Sequence, residues 1–300
     1  MQVKENYWQI NNNFIPSKTS AILNEYLLSL KLENKAESTI VKYRSILERF
    51  FSDCCICSIS LKRLTSSEVI HYFNRTTEGK KLTSIKLYLS TLSSFFNFCV
   101  AEEYIEKNLI KKRWRPKIPK SLPRFLNEQE YASVKLAAEE LSHRDRALIL
   151  FLFTSGSRKS EVSKLTIDDV DLEKRTAEVK GKGKKIRNVH FSEECALVLK
   201  EYLKERSCEG KDALFINKFG NRLSSGGVYE ITRKIGKKAG LKQSLYPHCC
   251  RHTFATNLLA RGASLEFIAD ELGHSDLNTT RIYARIITED KIMAYQNRMG

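Results

Sequence analysis

The stretch "KKRWRPKIPKSLPR", residues 111–124, most constrains what this chain can fold into. It holds three of the five prolines, at 116, 119 and 123, together with seven Lys/Arg and no acidic residue. Proline locks φ and cannot donate a backbone hydrogen bond, so this density excludes helix and favours an extended course. At 300 residues the chain is long enough for two ordinary cores. The reading is two domains, 1–110 and 125–300, joined by a basic linker over 111–124.

The two flanks differ in pattern. Before the linker, "TSAILNEYLLSL", "ESTIVKYRSILERFFSD", "SSEVIHYF" and "LTSIKLYLSTLSSFFNFCVAEEY" carry apolar residues at a period near 3.6, which predicts a small bundle of amphipathic helices. Ser38-Thr39 and Thr65-Ser66 read as helix starts. After the linker, "SHRDRALILFLFTSGSRKSEVSKLTI" is helical in pattern, whereas "RTAEVKGKGKKIRNVHF" alternates around Gly-Lys-Gly as a β-hairpin does. Helices then resume. The expected fold is mainly α, a helical N-terminal domain followed by a mixed α/β domain with a small antiparallel sheet.

Charge points to a polyanionic partner, most simply nucleic acid: the formal net charge is +16, the pI about 9.4, and the linker alone contributes +7. A basic extended strap suits a phosphate backbone, which makes Lys111, Lys112, Arg113 and Arg115 candidate DNA contacts; an ordinary solvated linker explains the composition equally well. No apolar run approaches the roughly 20 residues of a membrane span, and the N-terminus has neither a basic-then-apolar pattern nor a cleavage site. A cytoplasmic protein without a membrane partner is expected. The eight cysteines read as reduced thiols in a chain too large to need disulfides. "CCIC" at 54–57 lacks a second Cys/His pair at finger spacing, so no structural metal is expected.

Four stretches of the second domain carry residues suited to chemistry. In "TSGSRKSEVSKL", Gly156 breaks a helical pattern and Arg158 and Glu161 sit three apart on the next one, as an exposed ion pair or as part of a site. In the hairpin turn, Lys182 lies between two glycines that leave its ammonium unobstructed. In "PHCCRHTFATNLLA", Pro247 suits a first helical turn and sets His248 and Arg251 on one face beside free backbone N–H groups, while Phe254, Leu258 and Leu259 supply a core face. In "ELGHSDLNTTRIYARI", Ser264 caps the preceding helix, Gly273 ends it, His274 follows the stop, and a new helix near Ser275 or Asp276 carries Tyr283 beside a core pair, Ile282 and Ile286. Two arginines, a lysine, two histidines and a tyrosine, with no carboxylate cluster fit for Mg²⁺, suit metal-free phosphoryl transfer. The arginines neutralise a pentacoordinate phosphate, lysine and histidines supply protons, and tyrosine serves as nucleophile.

With those motifs in order, the sequence strongly resembles the tyrosine recombinase (phage integrase) family, its compact Xer-like members in particular. The resemblance covers both domains and implies a SAM-like core-binding domain ahead of the catalytic one. It implies Arg158, Lys182, His248, Arg251 and His274 around the scissile phosphate, Tyr283 as nucleophile and Glu161 as the acid that buttresses the first arginine. The implied reaction is site-specific strand exchange between two DNA duplexes through a 3′-phosphotyrosyl intermediate and a Holliday junction, without metal or cofactor. The implied partners are double-stranded core sites with inverted repeats and a homotetramer on DNA, with or without accessory proteins. The C-terminal segment 289–300 is expected to dock on a neighbouring protomer. Two alternatives stand beside this: a non-catalytic DNA-binding regulator of the same fold, and a type IB-like topoisomerase acting on one duplex. Two departures from the family pattern matter. Ser157 stands where leucine is common, so looser packing is expected there. Cys249 and Cys250 lie between His248 and Arg251, and would make activity sensitive to oxidation if exposed.

Overall fold

Four helices form from the periodic stretches of the N-terminal half: α1 (Ser17–Leu32), α2 (Glu37–Phe51), α3 (Ser66–Thr76) and α4 (Leu82–Ala101). The computed structural model describes residues 6–119, 123–181, 186–206, 212–274 and 276–284, and the chain divides into two compact units, Met1–Lys120 and Ser121–Gly300. In the first unit, Leu23, Leu27, Ile40, Leu47, Phe50, Phe95 and Phe96 are fully buried. Phe50 meets Tyr72 edge-on with centroids 4.8 Å apart, a geometry the ring quadrupoles favour. Truncating such a phenylalanine to alanine costs about 3–5 kcal/mol.

The helix starts follow cap chemistry where it is present. Thr65 and Glu68 form a capping box at the head of α3. The expected start at Ser38-Thr39 instead falls inside the first turn, because α2 begins at Glu37 with Ala36 as a cap that offers no side-chain bond. The first part of the basic segment is also less extended than its prolines suggest. Lys112–Trp114 form a 3-10 turn ahead of Pro116, where no proline opposes it. Trp114 packs on the core of the first unit, and Arg115 donates to Ser93 Oγ at 3.3 Å.

The second unit contains α5 (Glu128–Glu139), α6 (His143–Ser155), α7 (Lys159–Val162), α8 (Glu193–Glu205), α9 (Ser225–Lys238), α10 (Pro247–Ala260) and α11 (Leu265–Leu272), with β1 (Val170–Asp171), β2 (Thr176–Lys180) and β3 (Ile186–His190). A further helix covers 277–284. Helix α6 is buried continuously from Ala147 to Phe153, as a helix apolar on every side must be, and it packs against α8 and α10. The strands run antiparallel in the order β1-β2-β3, with Val179 opposite Arg187 and Ala177 opposite Val189. Because side chains alternate along a strand, Arg187 shares the inward face of β3 with buried Val189. The chain thus adopts the expected mainly α fold with a small antiparallel sheet.

Candidate active site

Two helix ends hold the second arginine. Helix α6 stops at Gly156 (φ 59°) and α11 stops at Gly273 (φ 62°), both left-handed, and the last carbonyls of a helix have no helical partner of their own. Arg251, 3% exposed on α10, donates from Nη1 to Gly156 O at 2.7 Å and from Nη2 to Leu272 O at 2.6 Å. These carbonyls carry the negative ends of their helix dipoles, so they fix and partly compensate the buried guanidinium. Burial, then the charges of Arg158 and Arg187, lower its pKa to about 9, and it stays protonated at neutral pH. At Gly156 a Cβ would collide with Phe254 and come within 2.9 Å of Leu272, so the stop also depends on glycine for space.

A buried acid holds the first arginine. Arg158 caps α7, and Glu161, 1% exposed, accepts from its backbone N–H and its Nη1, both at 2.8 Å. Arg187, from β3, donates to both oxygens of the same carboxylate at 3.0 and 2.9 Å and to Glu271 O at 3.1 Å. Burial pushes the Glu161 pKa up, but the Arg187 bonds and the Arg158 backbone and side-chain bonds outweigh it and hold the carboxyl at about 2. One acid therefore ties together two arginines, and the exposed i,i+3 pair that the sequence allows is replaced by a buried bridge.

The remaining groups gather around these cations. His274 follows the Gly273 stop; its backbone N–H donates to Ala269 O at 2.9 Å and its Nδ1 lies 2.8 Å from Thr280 Oγ1. Burial, then Arg251, Arg158 and Arg187, push its pKa down to about 4. Burial, then Arg251 and Arg158, lower His248 as well. Tyr283, 2% exposed, joins a small core with Phe254, Ala255, Ile268 and Leu272. Tyr283 is buried whereas Ile282 is half-buried, the reverse of the expected order for those two, and Ile286 lies outside the described residues. The phenol is raised by burial and drawn down by Arg251 and Arg158.

The structure thus brings Arg158, Glu161, His248, Arg251, His274 and Tyr283 into one electrostatic neighbourhood. Lys182 and the tail 289–300 lie outside the described residues. The expected looseness at Ser157 is not found: it is fully buried, and its hydroxyl lies 2.9 Å from that of Ser155. Cys249 and Cys250 are buried with their thiols pushed up, so the exposure that oxidation would require is missing. Among the described residues, Lys111, Lys112, Arg113 and Arg115 are exposed.

Residues 124–289 match the phage integrase family, and residues 23–103 match the phage integrase N-terminal SAM-like domain. The chain belongs to the phage integrase family. This tyrosine recombinase is 35% identical over 275 residues to tyrosine recombinase XerA of Pyrococcus horikoshii, covering 90% of each chain. It is 34% identical to XerC of Bacillus subtilis, covering 88% of this chain and 90% of the other. The crystal structure of XerH bound to palindromic difH, a post-cleavage complex, superposes with a TM-score of 0.74 at 25% identity, covering 97% of this chain and 92% of that one.

Two further residues of the candidate site escape a reading by motif. His252 places Nδ1 2.9 Å from the Tyr283 hydroxyl, and burial, then His248 and Arg251, push its pKa down to about 4. Its signal was the i,i+4 spacing from His248, which puts both on one face of α10. The signal for Arg187 was its inward register in "IRNVH".

Proposed function

We propose that the chain is a site-specific DNA recombinase in which Arg158 and Arg251 clamp the scissile phosphate, Glu161 orients Arg158, and Tyr283 is the nucleophile. The observation that carries this reading is the buried Tyr283 hydroxyl, 2.9 Å from Nδ1 of His252 on the helix that also carries His248 and Arg251. The phenol gives up its proton and its oxygen forms a bond to phosphorus as the P–O5′ bond breaks, leaving a 3′-phosphotyrosine and a 5′-oxygen that takes up a proton. That 5′-hydroxyl then attacks the phosphotyrosine of the partner duplex and releases Tyr283, so bond energy is conserved through a Holliday junction. His252 accepts the phenol hydrogen bond and aims the oxygen.

In the DNA-free protein His248, His252 and His274 are all shifted down by burial and the site arginines. A phosphodiester anion between Arg158 and Arg251 cancels that field and raises the histidines, which equips His248 and His274, with Lys182, to donate protons to departing or non-bridging oxygens. The four-residue set Lys111, Lys112, Arg113 and Arg115 serves as a phosphate-contacting strap, and the domains divide as 1–110, 111–124 and 125–300. The partner is double-stranded DNA with inverted repeats, which the palindromic substrate of the XerH complex supports, bound by a homotetramer in the cytoplasm.

The test is covalent capture on a nicked suicide duplex. Wild-type protein gives a denaturation-resistant, protease-sensitive adduct, Tyr283→Phe binds DNA without one, and Arg158→Lys loses most of it because a point charge cannot replace a bidentate fork. An adduct with Tyr283→Phe refutes the assignment. Exchange between two marked duplexes separates a recombinase from a topoisomerase.

A further inference from the structure

The "CCIC" stretch is unused by the catalytic unit, yet it forms a built turn after α2. Asp53 O accepts from Ile56 N and Cys57 N at 2.9 and 2.8 Å, and Asp53 Oδ1 accepts from Cys55 N at 3.1 Å. The turn leaves Cys54 and Cys55 exposed and Cys57 half-buried. Arg75, in the last turn of α3, reaches across: Nη2 donates to Asp53 Oδ1 at 2.5 Å and Nη1 to Cys54 Sγ at 3.8 Å. Cys57 Sγ lies 3.8 Å from the Cys54 carbonyl, and Cys55 Sγ lies 3.9 Å from Cys54 Sγ.

These contacts set Cys54 apart from the other described cysteines. Cys99, Cys195, Cys249 and Cys250 are buried and their thiols are pushed up by burial. Cys54 is exposed and shifted down, first by the Arg75 hydrogen bond and then by Cys55, with Asp53 opposing; Cys55 is shifted up by Cys54. A thiol beside a guanidinium, accessible and three residues ahead of a second thiol, meets the requirements of a reactive cysteine with a resolving partner. The Asp53 carboxylate is already engaged by Arg75, whose charge faces the sulfur, so the turn favours an oxidant or electrophile over a cation.

We propose that Cys54 is a redox-reactive thiol that takes peroxide-class oxidants and is resolved by Cys57. The Cys54 thiolate attacks the O–O bond of hydrogen peroxide, giving a sulfenic acid and hydroxide. The Cys57 thiol then attacks that sulfur, forming a Cys54–Cys57 disulfide and releasing water; a dithiol reductant returns both thiols. Cys57 is the partner rather than Cys55, because neighbouring Cα atoms sit about 3.8 Å apart, below the usual 4.4–6.8 Å range of disulfides, at about 5.5–6 Å most often. The site lies on the N-terminal unit and does not depend on the catalytic assignment.

The experiment uses the full-length reduced protein. Limiting iodoacetamide near neutral pH, read by tandem mass spectrometry, is expected to alkylate Cys54 about tenfold faster than Cys55. Arg75→Gln is expected to abolish most of that difference and move the alkylation midpoint of Cys54 to higher pH, while Arg75→Lys retains part of it. Hydrogen peroxide is expected to give the Cys54–Cys57 bond, reversed by dithiothreitol, and Cys54→Ser to give none. Equal alkylation rates in the wild-type protein, rates unmoved by Arg75→Gln in a protein with unchanged circular dichroism, or a Cys54–Cys55 bond in place of Cys54–Cys57 would each overturn the proposal.

Discussion

The Tyr283 hydroxyl lies 2.9 Å from Nδ1 of His252, on the helix that also carries His248 and Arg251. Both groups are largely buried, so each satisfies a polar atom that would otherwise be stranded at a cost of about 1–3 kcal/mol. Replacing His252 with phenylalanine is expected to keep DNA binding and slow covalent-adduct formation by about 100-fold, the lower end of the range for losing a positioned acid–base partner. Single-turnover cleavage of a nicked duplex measures this. Faster cleavage than wild type would mean that His252 restrains the tyrosine.

Glu161 is the point on which Arg158 and Arg187 converge, and removing one partner of a buried pair leaves the others uncompensated. Glu161→Ala is expected to destabilise the protein by on the order of 3 kcal/mol, whereas Arg187→Ala, which leaves the Arg158 bonds in place, should cost less. The carboxyl titrates at about 2 when folded against an ordinary 4.5. Its contribution is therefore fully present above pH 4.5 and is lost as pH falls through about 2. Urea melts of both variants across that window check the order and the sign.

His252 and His274 both titrate at about 4 instead of 6.5. The unfolded chain binds more protons in between, so the free protein loses stability from these groups as pH falls from 6.5 to 4. The groups responsible besides burial are Arg251, Arg158, Arg187 and His252 around His274, and His248 and Arg251 around His252. A phosphodiester seated against the arginines raises both histidines, so DNA binding is expected to take up protons and to tighten as pH falls through this range. Calorimetry near pH 6 in buffers of different ionisation enthalpy reads the proton count directly; zero uptake or net release would contradict the model of the site.

Lys111, Lys112 and Arg113 are exposed just after the buried Leu109 and Ile110, and Lys111 lies 6.0 Å from the Trp114 ring centroid. Docking of Trp114 on the N-terminal core holds these cations on a fixed base rather than on a free chain, which lowers the entropy lost on contact. Neutralising all three to glutamine should weaken binding to every DNA sequence alike and flatten the slope of log K against log salt by about 3 × 0.9. A titration from low to moderate salt that leaves the slope unchanged would make the segment an ordinary linker.

What the sequence alone determined is what acts locally. The amphipathic helices, the Thr65 capping box, the Ser264 cap, the left-handed stops at Gly156 and Gly273 and the antiparallel strands are set by residues within a turn or two of each other, so spacing reveals them. The ordered motifs likewise carried Arg158, His248, Arg251, His274 and Tyr283 as candidates. Only the tertiary structure decided which partners those groups meet. Arg187 is 26 residues from Glu161 and His252 is 31 from Tyr283, and no local pattern says that β3 packs on α11 or that 277–284 closes over α10. The burial of Glu161 has the same origin: an i,i+3 pair on a short helix is exposed or buried according to what covers it. Electrostatics then follow burial, because removing water is what lets Arg251 and Arg158 push the histidines down and oppose the rise of the Tyr283 phenol.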